Sequence, residues 1–333
     1  MAKETEGFKD NMTKEEILKK IYDSGVLPVI AVNDLQEAVP LAQACKEAGL
    51  TAIEITFRTE CAAEALKAIK QAYPEMLLGA GTVLTPETVD EAIGCGVDFI
   101  VTPGFNPDVV KYTISKNFPI VPGVSCASQI EQAMALGLDT VKFFPAEQSG
   151  GVPALKAFAG PYKKLKFIPT GGMTIDNFTT YTSLSNVVAI GGSFMINKKH
   201  IAEKDVEAMK ADITTVVDKM LNLKLSHIGL NLGNEEEALK IANLLQSLLH
   251  MPYKNGNSSI FSGNKEFELM KVEGRGSKGH IGIAVSDIDR GVHYLETRGL
   301  SFNNDSLVVK ENKKIAIYFK DEIAGFAFHL MKV

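Results

Sequence analysis

Between residues 27 and 194 the chain alternates a short β-rich run with a helical pattern eight times over, and this alternation restricts the fold more than any other feature. The runs are LPVIAV (27–32), AIEITF (52–57), LLGAGTV (77–83), FIVTPG (99–104), PIVPGVS (119–125), TVKFFPA (140–146), KFIPTGG (166–172) and VVAIGGSF (187–194). Patterns such as LQEAVPLAQACKEAG and AAEALKAIKQAYP separate them. Strands that alternate with helices pair in parallel, and eight equivalent units predict an α/β fold of the (β/α)8 TIM barrel type. An open doubly wound sheet is the alternative, but it has no need of eight equivalent units. Thr13 caps an amphipathic helix ahead of the first run, with Ile17, Leu18 and Ile21 on its apolar side and Gly25 at its end. The helical segment KDVEAMKADITTVVDKML closes this domain near residue 222.

A parallel barrel is covered on both faces, which changes the meaning of the second run. In AIEITFR, Ile53, Ile55 and Phe57 alternate with Glu54, Thr56 and Arg58. With helices outside, the polar set must point into the lumen. The sixth run has the same parity: Lys142 stands between Val141 and Phe143, Phe144 follows, and Pro145 ends the run. The second and sixth strands of an eight-membered ring lie opposite one another and feed common layers of the lumen, so Glu54 and Lys142 can converge. Burial disfavours the charged form of an ammonium, and a lysine made neutral attacks carbonyls. From these residues alone, an internal ion pair without chemistry stays open beside that reading.

Further candidates fall at the C-terminal ends of the runs, where barrels carry their active sites. Thr82 ends the third run, Pro103 the fourth, Thr170-Gly171-Gly172 the seventh and Gly191-Gly192-Ser193 the eighth. Paired glycines leave backbone N–H groups open to a ligand, and the helix N-termini that follow favour an anion, so the last two loops read as a phosphate cradle. A net charge of −5 without a Lys/Arg-rich run argues against a nucleic-acid partner and for a small molecule. No apolar run approaches the roughly 20 residues of a membrane helix. The N-terminal stretch carries charges where a signal peptide has its apolar segment. Cys45, Cys61, Cys95 and Cys126 include no C-x-x-C pair, so reduced thiols and a cytoplasmic location are expected.

The segments GLTAIEITFR (49–58) and GLDTVKFFPAEQSG (137–150) resemble the signature segments of the 2-keto-3-deoxy-6-phosphogluconate (KDPG) aldolase family, also called the 4-hydroxy-2-oxoglutarate (KHG) aldolases. GAGTVLTPE, TPGFNPDVV, PTGGM and GGSF resemble further segments in the family order, over about residues 13 to 221. Ser125-Cys126-Ala127-Ser128 departs from the more usual threonine-proline wording. The resemblance implies a class I aldolase, usually a homotrimer, that needs no cofactor and takes a phosphorylated 2-keto acid. It implies Lys142 as the Schiff-base nucleophile, Glu54 as the proton shuttle, and Arg58 and Thr82 on the pyruvyl carboxylate. Thr170, Gly171, Gly172, Gly192 and Ser193 would bind the 6-phosphate, with Pro103, Phe144 and Gly191 also in the substrate site. A galactonate-epimer aldolase, a non-catalytic pyruvate- or phosphosugar-binding barrel with a regulatory C-terminal domain, and an epimerase-like barrel are the alternatives.

After the barrel, expected over 1–222, a smaller α+β domain is expected over 223–333. SHIGLNL (226–232) is echoed by GHIGIAV (279–285), and FELMKV (267–272) by FHLMKV (328–333). A helical segment and short strands lie between, so each half is β-α-β-β-β in outline. This duplication resembles the vicinal oxygen chelate superfamily of glyoxalases and extradiol dioxygenases. The resemblance implies a divalent metal between the two βαβββ modules, with His227, Glu268, His280 and His329 at the matching positions. The superfamily's enzymes often carry a carboxylate where this chain has His329.

Overall fold

The computed structural model describes residues 12–333; the charged stretch 1–11, part of the N-terminus unlike a signal peptide, lies outside them. The chain divides into two compact units, the first ending at Val217 and the second beginning at Asp218. That division falls inside the helix Val206–Leu221.

In the first unit strands, each shorter than its apolar run, coincide with the eight runs, the first beginning at Val26 just ahead of its run. They are β1 (Val26–Ile30), β2 (Ala52–Thr56), β3 (Leu77–Gly81), β4 (Phe99–Val101), β5 (Ile120–Val121), β6 (Gly123–Val124), β7 (Thr140–Phe143), β8 (Lys166–Pro169) and β9 (Ile190–Gly192). The fifth run is split into β5 and β6 by Pro122, which has no N–H to give a ladder. A six-stranded curled sheet runs β5-β4-β3-β2-β1-β9 and a three-stranded sheet runs β6-β7-β8, with every pairing parallel. Isolated parallel bridges join Phe167 to Val187 and Thr170 to Gly191.

All five residues of β1, β2 and β3 are buried, as expected of strands covered on both faces. Leu27, Ala52, Leu77, Phe99, Val121 and Ile168 form one buried cluster on the concave side. The helix Lys14–Ser24 seals that cluster with Ile17 and Ile21. It starts with a capping box between Thr13 and Glu16 and ends at Gly25, whose φ of 68° suits glycine.

The second unit is a single eight-stranded sheet in the order β11-β12-β13-β10-β14-β17-β16-β15. Its first module contains β10 (Lys224–Asn231), the helix Glu235–Leu249, β11 (Tyr253–Asn255), β12 (Ser259–Ser262) and β13 (Phe267–Met270). The second repeats that order with β14 (Gly279–Val285), the helix Ile288–Glu296, β15 (Phe302–Lys310), β16 (Lys313–Phe319) and β17 (Phe326–Lys332). In each module the first and last strands pair in parallel, and β10 meets β14 antiparallel at the centre. Ala238, Ala242, Ile260 and Leu269 anchor the first module's helix to one face of the sheet. No helix among the described residues is long and apolar enough to cross a membrane.

Candidate active site

The alternation in β2 and β7 sends Glu54 and Lys142 to the concave side. Val141 and Phe143 face the other way, and Phe143 packs edge-on against Phe158 and Phe167. Lys142 Nζ donates to Glu54 Oε1 at 3.2 Å, across a sequence separation of 88 residues. Only 5% of the lysine side chain and 2% of the glutamate side chain are exposed. A buried ion pair rarely stabilises more than well-packed apolar residues would, so stability alone does not account for it. The contact is within proton-transfer reach.

Glycines permit close packing around the pair, Gly81 against Glu54 itself and Gly123 against the Pro103 backbone. A Cβ on Gly81 would lie 2.1 Å from Glu54 Oε1, and one on Gly123, the register neighbour of Lys142, would lie 2.2 Å from the Pro103 carbonyl oxygen. Gly81 stood unremarked beside Thr82 in the sequence, because its role depends on a strand that pairs with its own. Gly81→Ala is expected to displace the Glu54 carboxylate and lower kcat by about 100-fold while the fold persists, since a misplacement of ~1 Å costs that much. Steady-state kinetics with circular dichroism would check this.

Arg58 lies beyond the end of β2 and is exposed, so it stands at the C-terminal edge of the curled sheet rather than deep on its concave side. Its Nε donates to Thr82 Oγ1 at 3.1 Å, which brings the two expected carboxylate-binding residues together. Thr82 has a φ of 59°, a left-handed conformation unusual for a β-branched residue and of the strained kind that clusters at functional sites. Thr56 shares the parity of Glu54, but its hydroxyl is spent on the Ile30 carbonyl at 3.3 Å. Arg58 and Ser193 also line a cavity of about 260 Å³ with Glu37 and Lys198, two residues the sequence did not single out. Glu37 is buried and accepts the Asn33 N–H at 2.9 Å.

Phe144 sets its ring 5.5 Å from Lys142 Nζ. Thr170 is buried and bridges to Gly191, where a Cβ would meet the threonine hydroxyl at 2.3 Å. Gly171 and Gly172 have φ of 96° and 79°, and a Cβ on Gly172 would meet Glu147 at 2.5 Å, so backbone geometry already demands glycine there. Glu147 in turn accepts a hydrogen bond from Tyr181. Gly192 is buried and Ser193 exposed at the end of β9.

In the second unit three of the four expected ligands converge. His280 Nε2 lies 3.2 Å from both His227 Nε2 and Glu268 Oε2, and His227 Nε2 lies 3.7 Å from the same oxygen. Donors about 2.1 Å from one transition metal are separated by similar distances. Ser259 Oγ orients Glu268 through a 2.7 Å hydrogen bond to the other carboxylate oxygen. Glycines again make the room: a Cβ on Gly229 would lie 2.1 Å from the His280 ring, and one on Gly282 would lie 2.3 Å from the His227 ring. His329 is adjacent, with ring centroids 5.2 Å from His227 and 5.4 Å from His280, but stands outside the three-residue donor group. Its Nδ1 is buried without a hydrogen-bond partner.

Burial, followed by the neighbouring histidines, pushes His329 down to about 4 from its ordinary 6.5, and burial also lowers His227. Glu268 is held below the usual carboxylate range, first by the hydrogen bond to His280. The unfolded chain therefore binds more protons than the folded one as the pH falls. The His329 contribution to stability is complete above pH 6.5 and is lost on the way down to about 4. In denaturant titrations the metal-free second unit is expected to lose about 3 kcal/mol over that interval, and clearly less as His329→Phe.

The model of the KDPG and KHG aldolase family matches residues 15–212, more than half of the chain. A 2-dehydro-3-deoxy-phosphogluconate aldolase of Haemophilus influenzae is 43% identical over 206 residues, 62% of this chain and 97% of that protein. A KHG/KDPG aldolase of Escherichia coli is 43% identical over 171 residues, 51% of this chain and 80% of its own length. Among solved structures, a KDPG aldolase of Legionella pneumophila with pyruvate captured as a covalent carbinolamine is 32% identical with a TM-score of 0.58, covering 62% of this chain and 98% of that one. These matches span the unit that holds the Lys142–Glu54 pair, and the chain belongs to the KDPG and KHG aldolase family.

Proposed function

We propose that the first unit is a closed (β/α)8 barrel working as a Schiff-base aldolase, which cleaves 2-dehydro-3-deoxy-6-phosphogluconate to pyruvate and glyceraldehyde 3-phosphate. Closure is supported by the continuous chain Val121-Pro122-Gly123, which links the two sheets on one side, and by the Thr170–Gly191 bridge on the other. The observation that carries the function is the buried Lys142–Glu54 contact. Lys142 Nζ, once its proton has passed to Glu54, attacks the C2 ketone to give a carbinolamine. Loss of water, assisted by Glu54, leaves a protonated Schiff base that draws electrons from the C3–C4 bond. Glu54 takes the proton of the C4 hydroxyl, the bond breaks, and the aldehyde leaves. Reprotonation at C3 and hydrolysis release pyruvate and restore the lysine.

Arg58 and Thr82 hold the carboxylate. Thr170, Gly171, Gly172, Gly192 and Ser193 receive the phosphate, with Pro103, Phe144 and Gly191 shaping the walls. A cytoplasmic homotrimer is part of the same proposal. Cleavage assays comparing the phosphogluconate substrate, its galactonate epimer and 4-hydroxy-2-oxoglutarate test it, with the first expected to show the highest kcat/KM. Pyruvate binding without cleavage or borohydride trapping would favour a non-catalytic barrel instead.

For the second unit we propose a divalent transition metal held by His227, Glu268 and His280, with His329 beside it, in a domain of the vicinal oxygen chelate kind. The separations of the three donors and the orphaned His329 Nδ1 support this. The metal would supply Lewis acidity, while Ser259 orients the carboxylate and the paired glycines keep the imidazoles in place. Stoichiometric Co²⁺ uptake that is lost in His280→Ala is the test.

A further inference from the structure

We propose that the second unit holds a small carboxylate anion beside the histidine cluster, with Arg275 as the residue that selects its charge. The proposal rests on the metal reading of that cluster and goes beyond it to the ligand class.

Three donors leave a transition metal with open positions. The register of the sheet shows which residues share the face of the cluster. Tyr318 pairs with His329 and Ala327 with His280, so both stand on the face that carries the cluster, and Asn303 pairs with Tyr318 one strand further out. The Tyr318 ring touches that of His329, with centroids 4.6 Å apart. A cavity of about 180 Å³ opens along this row, lined by Asn303, Tyr318 and Ala327 together with Arg275 and Lys320. At about 30 Å³ per water it holds roughly six water-sized groups, the size of a three-carbon acid.

The charge of the lining decides the ligand. Arg275 makes no ion pair among the described residues, yet it is not loose, because its guanidinium lies 4.7 Å over the Tyr318 ring. An arginine held on an aromatic face with its N–H groups free is disposed to take a planar carboxylate. Two acids also line the cavity, Asp321 and Glu322. Glu322 is committed to Ser277, accepting from its N–H at 3.2 Å and its hydroxyl at 2.7 Å. Arg275 and Lys320 therefore face one uncommitted carboxylate, that of the exposed Asp321, and the lining favours an anion. The imidazole of His329, buried with Nδ1 unpartnered, packs behind Tyr318, the residue that links the cavity to the cluster. Pyruvate, the proposed product of the first unit, is an acid of this size and charge.

The experiment uses the full chain loaded with Co²⁺ and follows the cobalt visible bands during titration with pyruvate. Those bands report only on the metal's surroundings, so pyruvate captured by Lys142 in the first unit does not register. The expected result is a saturable spectral change with pyruvate and none with methyl pyruvate, which lacks the charge. Arg275→Met should keep the cobalt stoichiometry and raise the pyruvate Kd about tenfold or more, the usual loss of a hydrogen bond to a charged group. Bands indifferent to pyruvate, an equal response to the ester, or an unchanged Kd in Arg275→Met would overturn the proposal and leave the metal reading standing. If cobalt does not bind, the metal reading falls and the proposal falls with it.

Discussion

Lys142→Met is expected to lower kcat by on the order of 10⁴-fold or more, because the covalent route disappears with the amine. Borohydride with pyruvate should add one reduced pyruvyl group to the native protein and none to the variant. An adduct that still forms on Lys142→Met would show that another amine is the nucleophile. The variant also leaves the Glu54 carboxylate, 2% exposed, without its ammonium partner. Removing one member of a buried pair costs about 3–5 kcal/mol, so a lower Tm should accompany the lost turnover. In Lys142→Met/Glu54→Gln the uncompensated charge is gone, so much of the Tm should return while activity does not. That pattern separates a chemical role from a structural one.

Glu54→Gln carries the second largest expected effect. The amide still accepts a hydrogen bond from Lys142 but cannot shuttle protons, and general acid–base catalysis of this kind contributes about 10²- to 10⁴-fold. Here kcat should fall by that amount, while the pyruvyl adduct still forms, more slowly. A Glu54→Gln enzyme with native kcat would mean that water or another group moves the protons. Mass spectrometry of trapped samples taken over time distinguishes slowed trapping from lost trapping, which kinetics alone does not.

Lys142 and Glu54 are legible as a facing pair because strand periodicity is a local property. Once both faces of a parallel sheet must be covered, the parity of Glu54 in AIEITFR and of Lys142 in TVKFFP assigns each to the lumen without knowledge of any contact. The same parity put Thr56 in the lumen but was silent on its hydroxyl, which bonds the Ile30 carbonyl from a strand 26 residues earlier. Arg58 was placed too deep, because strand β2 ends at Thr56 and its neighbour already belongs to the turn. The paired glycines after the seventh and eighth runs were noticed for a ligand. The positive φ of Gly171 and Gly172, the close approach of Glu147 to Gly172 and that of Thr170 to Gly191 supply packing and backbone reasons that a motif cannot reveal. Gly81 and Lys198 carry no local signal, because the residues they face are distant in the chain.

By itself the sequence determined the βα alternation, the duplicated β-α-β-β-β segment, and which side chains share a face, since all follow from residue periodicity along one strand or helix. Only the tertiary structure decided what meets across strands: the 3.2 Å contact between Lys142 and Glu54, the space that Gly81 leaves for it, and the convergence of His227, Glu268 and His280 with His329 set aside. It also placed Arg275 over Tyr318 beside that cluster. The physical reason is the same in each case. Periodicity fixes a direction, whereas a site needs distances of about 3 Å between groups tens of residues apart, and those come from strand register and from the close packing that glycines permit.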